Sequence, residues 1–415
     1  MIRSALIMSL AMSFSSSAEP LNKSVQSIER HKDHLERFYQ DLHKFPELSG
    51  EEKATAAKVA AEFRALGLEV IEGVGGHGVV GILRNGEGPT SIVRSELDGL
   101  PVQEESKIAY KSQVDGKMHA CGHDFHMASL LGTAYVMKDT KADWKGTLLF
   151  IAQPAEEIGK GARSMVNDDQ FKKLPKANQA LALHTAGQLK KGSIGVTPGY
   201  VMAAVDAVDV SFKGRGTHGA MPETGVDPFI QSAEFILKLQ TLLGREKLAT
   251  QPAVISVGTL HGGTKRNIIP GEVKIGITVR TYDPEVREML KKRIRELAFG
   301  IARTNSAPEP IVDVRSESDA TYNDPALTAK LSAVMKKELG ADHVVELKPS
   351  MAGEDFGRFG EALKVPSFFF AVGERDEKDP TITNHSPKFA PDFRKTAPVA
   401  IRAMTSALMA LHRTQ

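Results

Sequence analysis

The chain has 415 residues, 41% of them hydrophobic and 25% charged, which is the make-up of a globular protein too long for one ordinary core. The formal net charge is +2, and Lys and Arg are scattered among Asp and Glu, so the chain carries no electrostatic footprint for nucleic acid. A single cysteine rules out a disulfide scaffold, and no segment is long and apolar enough to span a bilayer.

Residues 1–18 read as a cleaved export signal: Arg3 gives a positive start, residues 5–12 are apolar, and Ser16-Ser17-Ala18 precede Glu19-Pro20. The expected location is therefore the periplasm or the outside of the cell. A lone thiol there needs burial or a metal to protect it.

Residues 24–44 place Ile28, Leu35, Phe38, Tyr39 and Leu42 at helical spacing, and Pro46 ends that helix. Ser49-Gly50-Glu51-Glu52 has the form of a capping box opening a second helix, with Ala56, Val59, Ala60, Phe63 and Leu66 on its apolar side and Gly67 as its stop. Short apolar runs at 78–83, 91–97, 147–151, 180–183 and 367–372 predict buried strands, with helices between several of them, notably 126–137. That alternation predicts an α/β unit built on a mainly parallel sheet.

The middle of the chain differs. Strands are predicted at 205–212, 253–260, 272–281 and 310–314, and Asp227-Pro228 and Asp283-Pro284 each open a helix. The order βαββαβ is that of a ferredoxin-like α+β sandwich inserted into the first unit. The expected division is a catalytic unit over 22–198 and 309–415, interrupted by a lid or dimerisation unit over 199–308.

Ligands collect at the carboxyl ends of strands in such sheets. Asp98 follows the strand ending near Leu97, Glu156-Glu157 follow the run 147–151, His184 ends the run 180–183, and Cys121 and His123 lie in a turn leading into a helix. His385 joins them from a distant segment. Each has a plainer reading alone: an inert buried thiol, a solvated glutamate pair, a hydrogen-bonded histidine. Together they make a thiolate, imidazole and carboxylate set suited to two divalent ions, with one carboxylate left over. Two adjacent glutamates cannot both aim at one metal, so Glu157 is assigned as ligand and Glu156 as general base. Thiolate and imidazole ligands admit Zn, Mn, Co or Ni, with Zn or Mn favoured.

Other motifs fall away. Gly73-Val74-Gly75-Gly76-His77-Gly78 fits a dinucleotide pattern, but a strand follows where a phosphate-binding helix is required, so it is a glycine turn. His31, His34, His77, His343 and His412 lie in polar stretches and are read as surface residues.

Eight segments in order then resemble one family: His43-Lys-Phe-Pro-Glu-Leu48, Ser95-Glu-Leu-Asp-Gly-Leu-Pro-Val102, His119-Ala-Cys-Gly-His-Asp124, Gln153-Pro-Ala-Glu-Glu157, His218-Gly-Ala-Met-Pro222, Arg266-Asn-Ile-Ile-Pro270, Met351-Ala-Gly-Glu-Asp-Phe356 and Asn384-His-Ser-Pro387. They are similar to those of the N-acyl-amino-acid amidohydrolases, the aminoacylase, hippurate hydrolase and auxin-conjugate hydrolase relatives within the aminoacylase/carboxypeptidase metallopeptidases. The resemblance implies a two-metal site with Cys121 bridging and His123, Glu157, His184 and His385 as the other ligands. It implies Glu156 as base and Asp98 as the acid behind the metals. It also implies that His218 and Asn267 of the insert reach the scissile carbonyl, often from a partner subunit, which leaves a homodimer through the insert open. Arg280 and Gly353 lie in segments that line the family's substrate site. One departure is Glu96, where the family usually has Asp.

The implied reaction is metal-dependent hydrolysis of an N-acyl amino acid to a carboxylic acid and a free amino acid. A dipeptidase or carboxypeptidase on the same two metals is the nearest rival. A binding protein that had lost turnover would show a broken ligand set or a missing base, and neither is seen.

Overall fold

The computed structural model describes residues 19–413, with side chains from 23 onward, so the expected export signal lies outside the described residues. Four strands, Gly146–Gln153, Thr90–Glu96, Gln179–Lys190 and Ser367–Arg375, lie side by side and parallel at the centre of an eight-stranded sheet. Their runs are apolar because both faces are covered, and period-2 alternation sends neighbours to different cores. Leu148 and Phe150 pack under the helices Glu19–Lys44, His123–Asp139 and Phe393–His412, whereas Leu149 and Ile151 pack with Met165, Phe356 and Phe359 on the opposite face. The flanking hairpin Glu69–Val74/Gly78–Asn85 is antiparallel, which confirms the glycine segment between its strands as a turn.

A second, four-stranded antiparallel sheet runs in the order Ala253–Gly262, Glu272–Thr281, Ala204–Lys213, Ile311–Ser318. Helices Pro228–Arg245 and Pro284–Thr304 bury Phe235, Leu239, Leu290 and Ile294 against it, which is the split βαβ arrangement. Both Asp-Pro starts behave as expected: Asp227 accepts from Phe229 N at 2.8 Å, and Asp283 from Glu285 N at 2.8 Å. The last strand of this sheet, Ile311–Ser318, lies wholly past residue 308, where the return to the first unit was expected.

The two chain passages between the units, Gly199–Met202 and Thr321–Asn323, pair with each other as an antiparallel ribbon. Tyr200 stacks on Tyr282, just past the small-sheet strand Glu272–Thr281, and meets Tyr322 edge-on. Beside the ribbon, Asp319 accepts from Arg287 of the insert at 2.9 Å and from Arg358 of the large unit at 3.2 Å.

Three local expectations change. Ser49 caps no helix; its hydroxyl donates to Asp98 at 2.6 Å, while the Glu47 carboxylate accepts from Ala54 N and Thr55 N at the start of Lys53–Ala65. His412 is buried, not on the surface, with its ring bonded to Ser91 Oγ and to the Lys145 carbonyl. The strand carrying His184 continues to Lys190 because Ser367–Arg375 pairs along its length.

The first long helix is anchored by His43, which is fully buried and bonded through Nδ1 to Asp124 at 2.6 Å and through Nε2 to Glu104 at 3.2 Å. Burial alone lowers an imidazole's pKa, but the two carboxylates override it and raise His43 to about 9. Because the folded value lies above the unfolded one, this stabilisation is complete below pH about 6.5 and is lost as pH rises through about 9. His43→Gln is therefore expected to melt roughly 5 °C below the parent at pH 6 and to lose most of that deficit by pH 9.5. Thermal melts across that range check it, and a pH-independent deficit would refute the linkage.

Candidate metal centre

The central strands deliver the predicted residues to one rim. Asp98 lies two residues beyond Thr90–Glu96, and Glu156 and Glu157 lie just beyond Gly146–Gln153. Cys121 sits in the turn ahead of the helix His123–Asp139, where Gly122 adopts φ 92°. A Cβ on Gly122 would stand 2.6 Å from Thr185 Oγ1, so only glycine lets this turn approach the neighbouring strand. Two non-glycine residues at the site also have left-handed backbones, Ala155 (φ 52°) and His385 (φ 69°), and strain of this kind persists only where surroundings enforce it.

Donor atoms converge in overlapping groups, each within 4.8 Å: Cys121 with His123 and His184, Cys121 with Glu157 and His385, and His123 with Glu156 and Glu157. Cys121 Sγ lies 3.3 Å from His184 Nε2, and His385 Nε2 lies 3.7 Å from Glu157 Oε2. The sulfur belongs to the first two groups, as a bridging ligand must.

Hydrogen bonds fix the imidazoles of the buried His123 and the half-buried His184. His123 Nδ1 donates to the Asp98 carbonyl at 2.8 Å and His184 Nδ1 to the Thr185 carbonyl at 2.7 Å, which leaves each Nε2 with its lone pair facing the cluster. His123 Nε2 and Glu157 Oε1 are buried with no hydrogen-bond partner. Unpartnered buried atoms are costly, and a divalent cation is the group that would satisfy an imidazole lone pair and a carboxylate together. The residues present thus fit a pair of divalent ions.

The electrostatics agree. Burial, Glu354 and Glu157 push the Glu156 carboxyl well above the usual range, and burial with Glu157 pushes up the Cys121 thiol. Burial takes His184 down to about 4, so it is neutral and able to ligate. Asp98 is held low in spite of burial by His123 and Ser49, and it accepts from Glu157 N at 2.9 Å, which ties that loop to the sheet.

The cluster opens into a cleft of about 1170 Å³ between the sheet ends and the insert. Arg280 and Gly353 both line it; a Cβ on Gly353 would come within 3.4 Å of the Arg280 guanidinium and 2.6 Å of Val205. His218 and Asn267 are not brought there. His218 lies in the small ribbon Thr217–His218/Ile268–Ile269 and Asn267 adjoins it; both are exposed on the insert and neither is part of the cleft wall of its own subunit.

Sequence reasoning missed the residues behind the ligands. Arg94 is fully buried among Glu96, Gln153, Glu354 and Asp355, and His126 joins Glu96 to Thr185. The available signal was a pair of opposite charges, Arg94 and Glu96, two positions apart inside a buried strand.

A parallel sheet with soft and hard donors at its carboxyl ends, plus a spare carboxylate, defines a metal-dependent hydrolase. Residues 92–410 match the model for peptidase family M20/M25/M40. The chain is 36% identical over 369 residues to the N-acetyl-L-cysteine deacetylase of Bacillus subtilis, covering 88% of this chain and 84% of that protein. It is also 36% identical over 379 residues to thermostable carboxypeptidase 2 of Saccharolobus solfataricus, covering 90% and 94%. Among solved structures, the YXEP protein of Bacillus subtilis, a dinuclear metal binding peptidase, matches with TM-score 0.77 and 30% identity over 92% of this chain and 98% of that one. The chain belongs to peptidase family M20/M25/M40. It is a metal-dependent amide hydrolase, and its donor set is that of a two-ion centre.

Because the sulfur is shared and His385 belongs to one of the two Cys121 groups, their removal should differ. Cys121→Ala is expected to lose both ions and His385→Ala one, measured by equilibrium dialysis and elemental analysis. A Cys121→Ala protein holding two ions with parental affinity rules out the shared sulfur.

Proposed function

We propose that this enzyme hydrolyses the amide bond of N-acyl amino acids, releasing a carboxylic acid and a free amino acid. The observation that carries this reading is the pairing, within one cleft, of a donor cluster backed by Glu156 with an arginine that has no carboxylate partner among the described residues. Among the described residues the Arg280 guanidinium bonds only Thr278 Oγ1, through Nε at 3.0 Å, which leaves the rest of it for a substrate carboxylate. Cys121, His123, Glu157, His184 and His385 would hold the two cations, with Zn or Mn proposed and Co or Ni also compatible with these ligands. The cations, when bound, polarise the amide carbonyl and favour ionisation of a water.

Glu156 takes a proton from the attacking water and returns it to the departing amine, so one carboxyl group serves both halves of the reaction. Asp98 orients His123 from behind. His218 and Asn267, exposed on the insert, would reach a substrate from a second subunit, His218 as a donor to the developing oxyanion. That role is the basis for proposing a homodimer through the insert. The export-signal pattern of residues 1–18 supports a periplasmic or secreted enzyme, and N-terminal sequencing of the mature protein tests it.

A dipeptidase or carboxypeptidase reading uses the same residues, and the equal identity to a carboxypeptidase favours keeping it. The two differ in what the acyl side carries. A panel of N-acetyl, benzoyl and indoleacetyl amino acids against free dipeptides, assayed with each metal, decides between them: preference for blocked amines supports the amidohydrolase.

Two substitutions test the roles. Glu156→Gln should keep its metal content and lose roughly 10²–10⁴-fold in kcat; near-normal turnover removes it as base. Arg280→Met should raise KM for N-acyl amino acids and leave their carboxamide analogues unaffected, and equal effects on both sets would exclude carboxylate binding.

A further inference from the structure

Three segments that carry proposed ligands meet at one residue that ligates nothing. Thr185 Oγ1 donates to the Cys121 carbonyl at 2.8 Å. Asn384, next to His385, donates to that same carbonyl at 3.0 Å and to the Thr185 carbonyl at 3.2 Å. His184 donates to the Thr185 carbonyl as well, at 2.7 Å. The spacing of Cys121, His184 and His385 is thus set by how Thr185 is held.

Thr185 is held by His126. The Thr185 N–H donates to His126 Nε2 at 2.8 Å, so Nε2 is an acceptor and the ring proton must sit on Nδ1. That proton is donated to Glu96 Oε2 at 2.7 Å, while Glu96 Oε1 pairs with Arg94. Arg94 also binds Glu354 and Asp355, each at 2.8 Å. Asp355 accepts from Ala162 N at 2.9 Å, in the first turn of Gly161–Asn167, which closes the loop bearing Glu156 and Glu157. Glu96 is therefore the point where the ligand side and the base side of the centre are joined.

We propose that Glu96 is a positioning residue for the metal centre, acting through His126 and Thr185, and that this chain requires glutamate at that position. The proposal rests on the ligand assignment given above. One Glu96 oxygen reaches a neighbour on its own strand and the other a helix packed over the sheet. Aspartate is shorter by one carbon–carbon bond, about 1.5 Å. The strand is held against moving to compensate, because parallel neighbours pair with it on both sides as far as Arg94 and on one side at Glu96 itself. Aspartate at 96 can hold Arg94 or His126, not both.

The test measures Zn²⁺ affinity of the metal-free full-length protein by competition with a chromophoric chelator, well below its melting temperature, and the melting temperature itself. Glu96→Asp, His126→Leu and the near-isosteric Thr185→Val are each expected to lower affinity roughly 10- to 100-fold. His126→Gln, whose amide can donate to Glu96 and accept from Thr185, should stay within about threefold of the parent. If Glu96→Asp does not fold, the His126 and Thr185 variants decide. Lowered melting with unchanged affinity overturns the proposal and leaves Glu96 as packing alone. Parental affinity in Cys121→Ala would instead overturn the ligand assignment, and this proposal with it.

Discussion

A full positive charge sealed inside the sheet is what the rest of the structure answers to. Arg94 stands on a central strand covered on both faces, with no exposure to solvent. Its charge is met by Glu96, Glu354 and Asp355, which come from two chain regions some 260 residues apart. Leaving a buried charge without its partner costs about 3–5 kcal/mol, so the segment 351–356 is held against the sheet by more than packing. Three acids against one base leave an excess of negative charge beside Glu156, and that excess helps hold its carboxyl high. A centre built to receive cations needs such an excess.

Much of the centre was legible because its donors are chemically conspicuous and lie at strand ends. Cys121, His123, Glu157, His184 and His385 could be named from residue type and position, and the structure brings them into overlapping groups. The sheet and its insert were legible for a similar reason: buried strands announce themselves as apolar runs, and Asp-Pro pairs mark helix starts. What escaped was any role fixed by a remote partner. Ser49 has the local form of a helix cap, but a carboxylate 49 positions away claims its hydroxyl. His412 comes just before the polar end Arg413-Thr414-Gln415, yet it bonds Ser91, 321 positions earlier. Thr185 has no distinctive sequence context, and only the fold shows three ligand segments meeting on it.

His218 and Asn267 mark a different boundary. The motifs are intact, but the exposed ribbon that bears them takes no part in the cleft of its own chain. A sequence motif records what a residue meets in the working assembly, and a single chain shows only part of that. Arg280 and Gly353 are a contrast: they meet across the junction within one chain, where a Cβ at 353 would run into Val205 at 2.6 Å.

The paired ribbon joining the two units constrains how they can move. Two crossings laced by backbone hydrogen bonds, with Tyr200 wedged between Tyr282 and Tyr322, cannot flex one at a time. The two crossings are therefore coupled, and neither can shift without disturbing the other. The Arg280 guanidinium stands on one side of that joint and the thiol at 121 on the other, so the joint spaces the two across the cleft.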